Sequence, residues 1–102
     1  MRHTIVTYTV KPGREEENAA LVRAVFEELT ETRPAGLRYA VFYLPDSRQF
    51  IHVYTDEGSA SGVQQLDSFQ TFVAGAEDRH EQPATFTQPV LIGDYRTFVE
   101  SR

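Results

Sequence analysis

Two runs, Leu37 to Leu44 and Gln49 to Thr55, flank the short turn sequence Pro45-Asp46-Ser47-Arg48, and they restrict the fold more than any other part of the chain. β-Branched and aromatic residues dominate both runs, which predicts an antiparallel hairpin. Side chains alternate between the faces of a strand, so the register can be counted. With Leu44 opposite Gln49, Tyr43 faces Phe50, Val41 faces His52 and Tyr39 faces Tyr54, all on one side of the sheet. The other side carries Ala40, Phe42, Leu44, Ile51 and Val53. Both sides are apolar, whereas an antiparallel sheet with one wet face alternates apolar and polar. Each face therefore needs a cover.

The rest of the chain supplies a cover for one face. His3 to Val10 reads as a strand, and Lys11-Pro12-Gly13 as a turn. A helix is expected from Arg14 to Thr32, with Glu15, Glu16 and Glu17 in the first turn, where the helix dipole favours negative charge. Leu21, Val22, Val25, Phe26 and Leu29 make its apolar stripe. A broken helix is expected from Ser61 to Glu81, restarting near Asp67-Ser68, with Phe69, Phe72, Val73 and Ala76 at helical spacing. Residues 82–89 carry two prolines and read as a connector, and Val90 to Phe98 as the last strand. The order β-α-β-β-α-β predicts an α+β, ferredoxin-like fold: one domain over residues 1–102, a four-stranded antiparallel sheet and two helices on one face. The second face would expose a patch on the order of several hundred Å², more than a monomer usually shows. A homodimer through the face of Phe42, Leu44, Ile51 and Val53 is the expected solution.

Charge and composition exclude several classes of function. The net charge of −5 lacks the basic face that nucleic acid or an anionic membrane requires. No apolar run approaches the roughly 20 residues that span a bilayer. The opening residues read as a strand and not as a signal segment, so the cytoplasm is the expected compartment. With no cysteine, disulfides, thiolate metal sites and a cysteine nucleophile are ruled out. The three histidines have no metal-ligand spacing, and the glycines form no phosphate-binding loop. Ser59, Ser61 and Ser68 lack the flanks of a nucleophile elbow.

Several segments together resemble a known family. Ile5-Val6-Thr7-Tyr8-Thr9-Val10-Lys11-Pro12-Gly13-Arg14-Glu15-Glu16-Glu17 resembles the start of antibiotic biosynthesis monooxygenase-like domains. Arg33-Pro34-Ala35-Gly36-Leu37-Arg38-Tyr39 is similar to that family's P-G-x-x-x-Y approach to the second strand. Phe50 to Asp56 resembles its third strand, and Ser68-Phe69-Gln70-Thr71-Phe72 its S-x-x-F segment on the second helix. The resemblance implies a dimeric α/β barrel and, in some members, oxygenation that needs neither metal nor flavin. The haem-degrading branch uses an Asn on the first strand, a Trp ending the third and a His on the second helix. Those positions here hold Val6, Tyr54 and Val73, which argues against haem degradation. No cofactor is expected. The implied function is a cofactor-independent monooxygenase, or a related enzyme, acting on a phenolic or polycyclic compound. The alternative is a dimeric ligand-binding or accessory domain without chemistry.

Strand parity then selects the candidate site. His52 and Tyr54 share a face, Tyr39 lies across from Tyr54, and Tyr8 has the pocket-facing parity that the resemblance implies. A histidine titrates near neutral pH and a tyrosine donates a hydrogen bond, so the group suits a phenolic ligand. His52 is the expected proton-transfer residue and Tyr54 the orienting one, with Tyr8, Tyr39 and His80 as substrate contacts. The pocket is expected between the sheet and the second helix, with Asp56 to Gly62 as its lid. The bland reading makes these core residues with satisfied polar ends. Arg79 and His3 are expected at the solvated surface, and the pair Asp56-Glu57 in a capping or solvated role.

Overall fold

The computed structural model of the chain describes residues 2–56 and 62–95. Four strands, β1 (Arg2–Thr9), β2 (Arg38–Leu44), β3 (Gln49–Asp56) and β4 (Thr85–Thr87), form one antiparallel sheet in the order β2-β3-β1-β4. This is the ferredoxin-like arrangement anticipated from the element order. The β2–β3 register matches the count pair for pair, from Leu44 opposite Gln49 to Tyr39 opposite Tyr54. The hairpin turns through a 3₁₀ segment, Pro45–Ser47, and Arg48 closes it in the left-handed region at φ 55°. Arg48 is held there by hydrogen bonds from its Nε to the Val10 carbonyl (3.1 Å) and from its guanidinium to Glu81 (2.7 Å).

Helix α1 (Glu15–Thr32) begins in the acidic turn and buries Asn18, Val22 and Val25. It ends at Arg33, a left-handed cap whose N–H reaches the Leu29 carbonyl at 2.8 Å. The second helical region is broken twice. A 3₁₀ turn (Gly62–Gln65) precedes α2 (Asp67–Ala74), and Gly75 separates α2 from the short α3 (Ala76–Arg79). Glu28 of α1 fastens the start of α2, accepting hydrogen bonds from the Ser68 N–H (3.0 Å) and hydroxyl (2.6 Å). These bonds to the ionised form hold its carboxyl below the usual range.

Both helices cover the same face. Val6, Tyr8 and Val10 of the first strand and its extension, Phe50 of β3, Val22 and Val25 of α1, and Leu66 and Phe72 around α2 make the core. On the opposite face Phe42 and Leu44 stay exposed. The sheet of a single chain is open and does not close into a barrel.

The last strand differs from expectation. Thr85-Phe86-Thr87 pairs with Ile5–Thr7 inside the stretch read as a connector. Of the segment Val90 to Phe98, residues 90–95 form no strand, and 96–98 lie outside the described residues. Pro83 and Pro89 bracket the short triplet Thr-Phe-Thr, which can donate its N–H groups to the ladder, whereas proline cannot. Beyond Pro89, Val90, Leu91 and Ile92 are largely exposed and belong to no strand among the described residues. Among the described residues no helix is long and apolar enough to cross a membrane.

Candidate functional site

β1 and β3 pair with Val6 opposite His52 and Tyr8 opposite Phe50, so Tyr8 and His52 are diagonal neighbours on the helix-facing side. Their polar ends meet: the Tyr8 hydroxyl and His52 Nε2 are 2.7 Å apart. Tyr39, across the β2–β3 ladder, brings its hydroxyl to 2.8 Å from His52 Nδ1. Both ring nitrogens of a buried histidine are thus engaged. Burial, with His80 nearby, pushes the His52 pKa down to about 4, so the ring is neutral. Burial also raises both tyrosines well above their ordinary value.

The network continues inward. Asn18, on the buried stripe of α1, donates from Nδ2 to the Tyr8 hydroxyl at 2.9 Å. Arg79 Nε donates to Asn18 Oδ1 at 3.1 Å, and its other arm donates to the Phe72 carbonyl at 2.7 Å. The guanidinium lies 5.1 Å from the centre of the Phe72 ring, and the residue is only 2% exposed. The expectation of a solvated Arg79 is therefore corrected. The space for it exists because residue 75 is glycine: a Cβ there would sit 2.7 Å from an Arg79 nitrogen. The backbone around Arg79 also ties down the end of the first strand, through Lys11 N–H to Arg79 O (2.9 Å) and Glu81 N–H to Thr9 O (2.8 Å).

His80 stacks on Tyr8 with ring centres 4.0 Å apart. Its Nε2 is buried without a hydrogen-bond partner among the described residues, and burial and the adjacent Arg79 lower its pKa. Tyr54 meets Tyr39 edge to face at 5.7 Å. Of the five residues singled out in the sequence, Tyr8, Tyr39 and His52 thus share one hydrogen-bonded chain, while His80 and Tyr54 touch it through their rings. Asn18 and Arg79 were missed. Asn18 did leave a signal: it lies four and seven residues before Val22 and Val25, a polar residue on an apolar stripe. Asp56 is likewise buried, and pairs with Arg2 at 3.5 Å. His3 bonds Thr55 through Nδ1 at 2.8 Å and is only partly exposed. Glu57 and most of the expected lid, residues 57–61, lie outside the described residues.

A cleft of about 240 Å³ opens between the C-terminal end of α1 and β2, lined by Phe26, Leu29, Thr30, Arg33, Pro34, Leu37 and Tyr39. It stands at the far end of the network from α2, where the pocket was expected. Tyr39 is the network member that lines it, with its ring 5.0 Å from that of Phe26. Among the described residues no three His, Asp or Glu side chains converge as metal ligands.

A crystal structure of an antibiotic biosynthesis monooxygenase superposes with a TM-score of 0.72 at 18% identity, covering 91% of this chain and 100% of the other. The fold is that of the antibiotic biosynthesis monooxygenases. PA3566 from Pseudomonas aeruginosa is similar at a TM-score of 0.72 and 22% identity, over 90% of this chain and 94% of its own. Rv0793 from Mycobacterium tuberculosis has a TM-score of 0.72 and 15% identity, over 91% and 96%. No family model matches the chain, and no curated protein matches it. At these identities the likeness to antibiotic biosynthesis monooxygenases is one of fold.

Proposed function

We propose that this chain binds a phenolic or polycyclic compound in the Tyr39 cleft and carries out its oxidation by O₂ without a bound cofactor. One observation carries the reading: a hydrogen-bonded chain runs from a cleft-lining tyrosine through a neutral histidine to a buried cation. Phe26, Leu29, Pro34 and Leu37 suit an aromatic ring, and Tyr39, Thr30 and Arg33 supply polar contacts. An electron-rich phenolate can itself reduce O₂, so the protein needs only to favour the anion and manage protons. Tyr39 donates to the substrate oxygen. The substrate enters as the anion with its proton left in solvent, and the reduced oxygen takes a proton back from solvent through the cleft; His52, neutral at physiological pH, keeps the Tyr39 hydroxyl turned toward the oxygen anion. Tyr54 holds the Tyr39 ring in place. The outer sheet face of Phe42, Leu44, Ile51 and Val53 pairs two chains in the same reading, since Phe42 and Leu44 are exposed on it.

The test is oxygen uptake by purified protein over a panel of anthrones and naphthols. Tyr39→Phe should lower the rate by roughly 10²-fold or more. Tight binding of the panel with no oxygen uptake would overturn the enzymatic reading. It would leave a dimeric ligand-binding domain, a second reading favoured by the full engagement and low basicity of His52.

A further inference from the structure

Arg79 settles a question of direction that a histidine between two hydroxyls leaves open. A guanidinium has only donors, so Asn18 must turn Oδ1 toward Arg79 Nε and Nδ2 toward Tyr8. The Tyr8 oxygen then accepts from Asn18, and its one hydrogen points along the contact with His52 Nε2. Nε2 is the acceptor there, so a neutral ring carries its hydrogen on Nδ1 and donates it to the Tyr39 oxygen. The opposite arrangement would give Tyr8 two donors to accept and leave its own hydrogen without an acceptor in the chain of contacts. The burial that keeps His52 neutral excludes the doubly protonated ring.

We infer that Asn18 and Arg79 are positioning residues that fix His52 as the Nδ1–H tautomer, so that every hydrogen in the chain points toward Tyr39 and the Tyr39 hydrogen is left for a ligand's oxygen. The tautomer stands on hydrogen-bond geometry and on the burial that keeps the ring neutral; the consequence at the ligand rests on the function proposed above. The ligand group that suits the site is an acceptor: a phenolate, an enolate or a carbonyl oxygen. A ligand offering only a donor would meet the wrong end of the chain.

Long-range proton–nitrogen spectra of ¹⁵N-labelled protein at neutral pH distinguish the two ring nitrogens of His52. The wild type should show Nδ1 protonated and Nε2 bare, and the reverse would overturn the inference. Asn18→Asp replaces the donor to Tyr8 with an oxygen held ionised by Arg79. Tyr8 should then turn its hydrogen to the new carboxylate, and His52 should switch to Nε2–H. A folded Asn18→Asp protein that keeps Nδ1–H would refute the role of Asn18. If that variant fails to fold, Asn18→Leu removes the donor without adding an acceptor, and a mixture of tautomers is expected; a single Nδ1–H form there would refute the same role. A tautomer switch with no change in oxygen uptake or ligand affinity would uphold the positioning and sink only the Tyr39 contact.

Discussion

Tyr8→Phe removes one oxygen atom and leaves a ring of nearly the same shape among Phe50, Phe72 and His80. That oxygen holds two contacts, 2.7 Å to His52 Nε2 and 2.9 Å to Asn18 Nδ2. Each is a side-chain bond between buried groups, with a net value of about 1 kcal/mol. The Asn18 N–H that loses its acceptor is on a fully buried residue, and stranding it adds about 1 kcal/mol more. The expected loss is therefore about 3 kcal/mol. For a domain of this length that corresponds to a fall of roughly 12–24 °C in melting temperature. Urea unfolding followed by circular dichroism measures it, with both proteins at one concentration because association would shift the midpoint. Tyr43→Phe is the control: Tyr43 is exposed, and its change should stay within about 0.5 kcal/mol. If the two substitutions cost the same, the buried chain of hydrogen bonds contributes nothing, and the argument built on it fails.

Further outcomes are expected elsewhere. His52 has its pKa lowered to about 4 in the folded chain, so the unfolded chain binds the extra proton between about pH 6.5 and 4. Stability should be complete above pH 6.5 and fall across that window by at most about 3 kcal/mol, with His80 acting in the same direction; His52→Gln should flatten a denaturation series against pH. Gly75→Ala should destabilise by about 1–3 kcal/mol despite alanine's better helix propensity, because its methyl displaces the Arg79 guanidinium; combining it with Arg79→Met should recover part of the loss in the same unfolding assay. Phe42→Asp should convert a species of twice the chain mass to one of single mass in light scattering, since pairing would bury a carboxylate without a partner. A wild type already at single mass would remove the basis for that dimer.

The sequence revealed most where a period could be counted. The β2–β3 register followed from the turn and from the period of two, and the same parity put Tyr39 and His52 on one face, while Tyr8 joined them through the family resemblance. Arg79 was illegible for a physical reason. Its burial depends on a gap left by Gly75 and on acceptors at Asn18 and Phe72, one of them 61 positions away. Composition treats such an arginine as a solvated charge. The final strand was misplaced because Val90-Leu91-Ile92 has the stronger β-propensity, while the edge of β1 is taken by the weaker triplet Thr85–Thr87. Pairing partners, and not propensity, decided that element.

The place of β1 in the sheet also sets the order in which the chain can be finished. β1 is the first strand made, yet it is an inner strand, with Arg2 opposite Asp56 on one side and Ile5 opposite Thr87 on the other. At a synthesis rate of roughly 5–20 residues per second, its first partner follows it by seconds, and its second by several more. The β2–β3 hairpin, by contrast, is local and closes within about 1–10 μs of emerging. A growing chain therefore carries a completed hairpin whose β3 edge is still bare and, upstream of it, an apolar strand waiting to join. Joining requires closing a loop that contains all of α1, which makes the docking of β1 the slow, long-range step. Until β4 arrives, the opposite edge of β1 is open to any other extended segment, and nascent copies on neighbouring ribosomes are the nearest competitors for it.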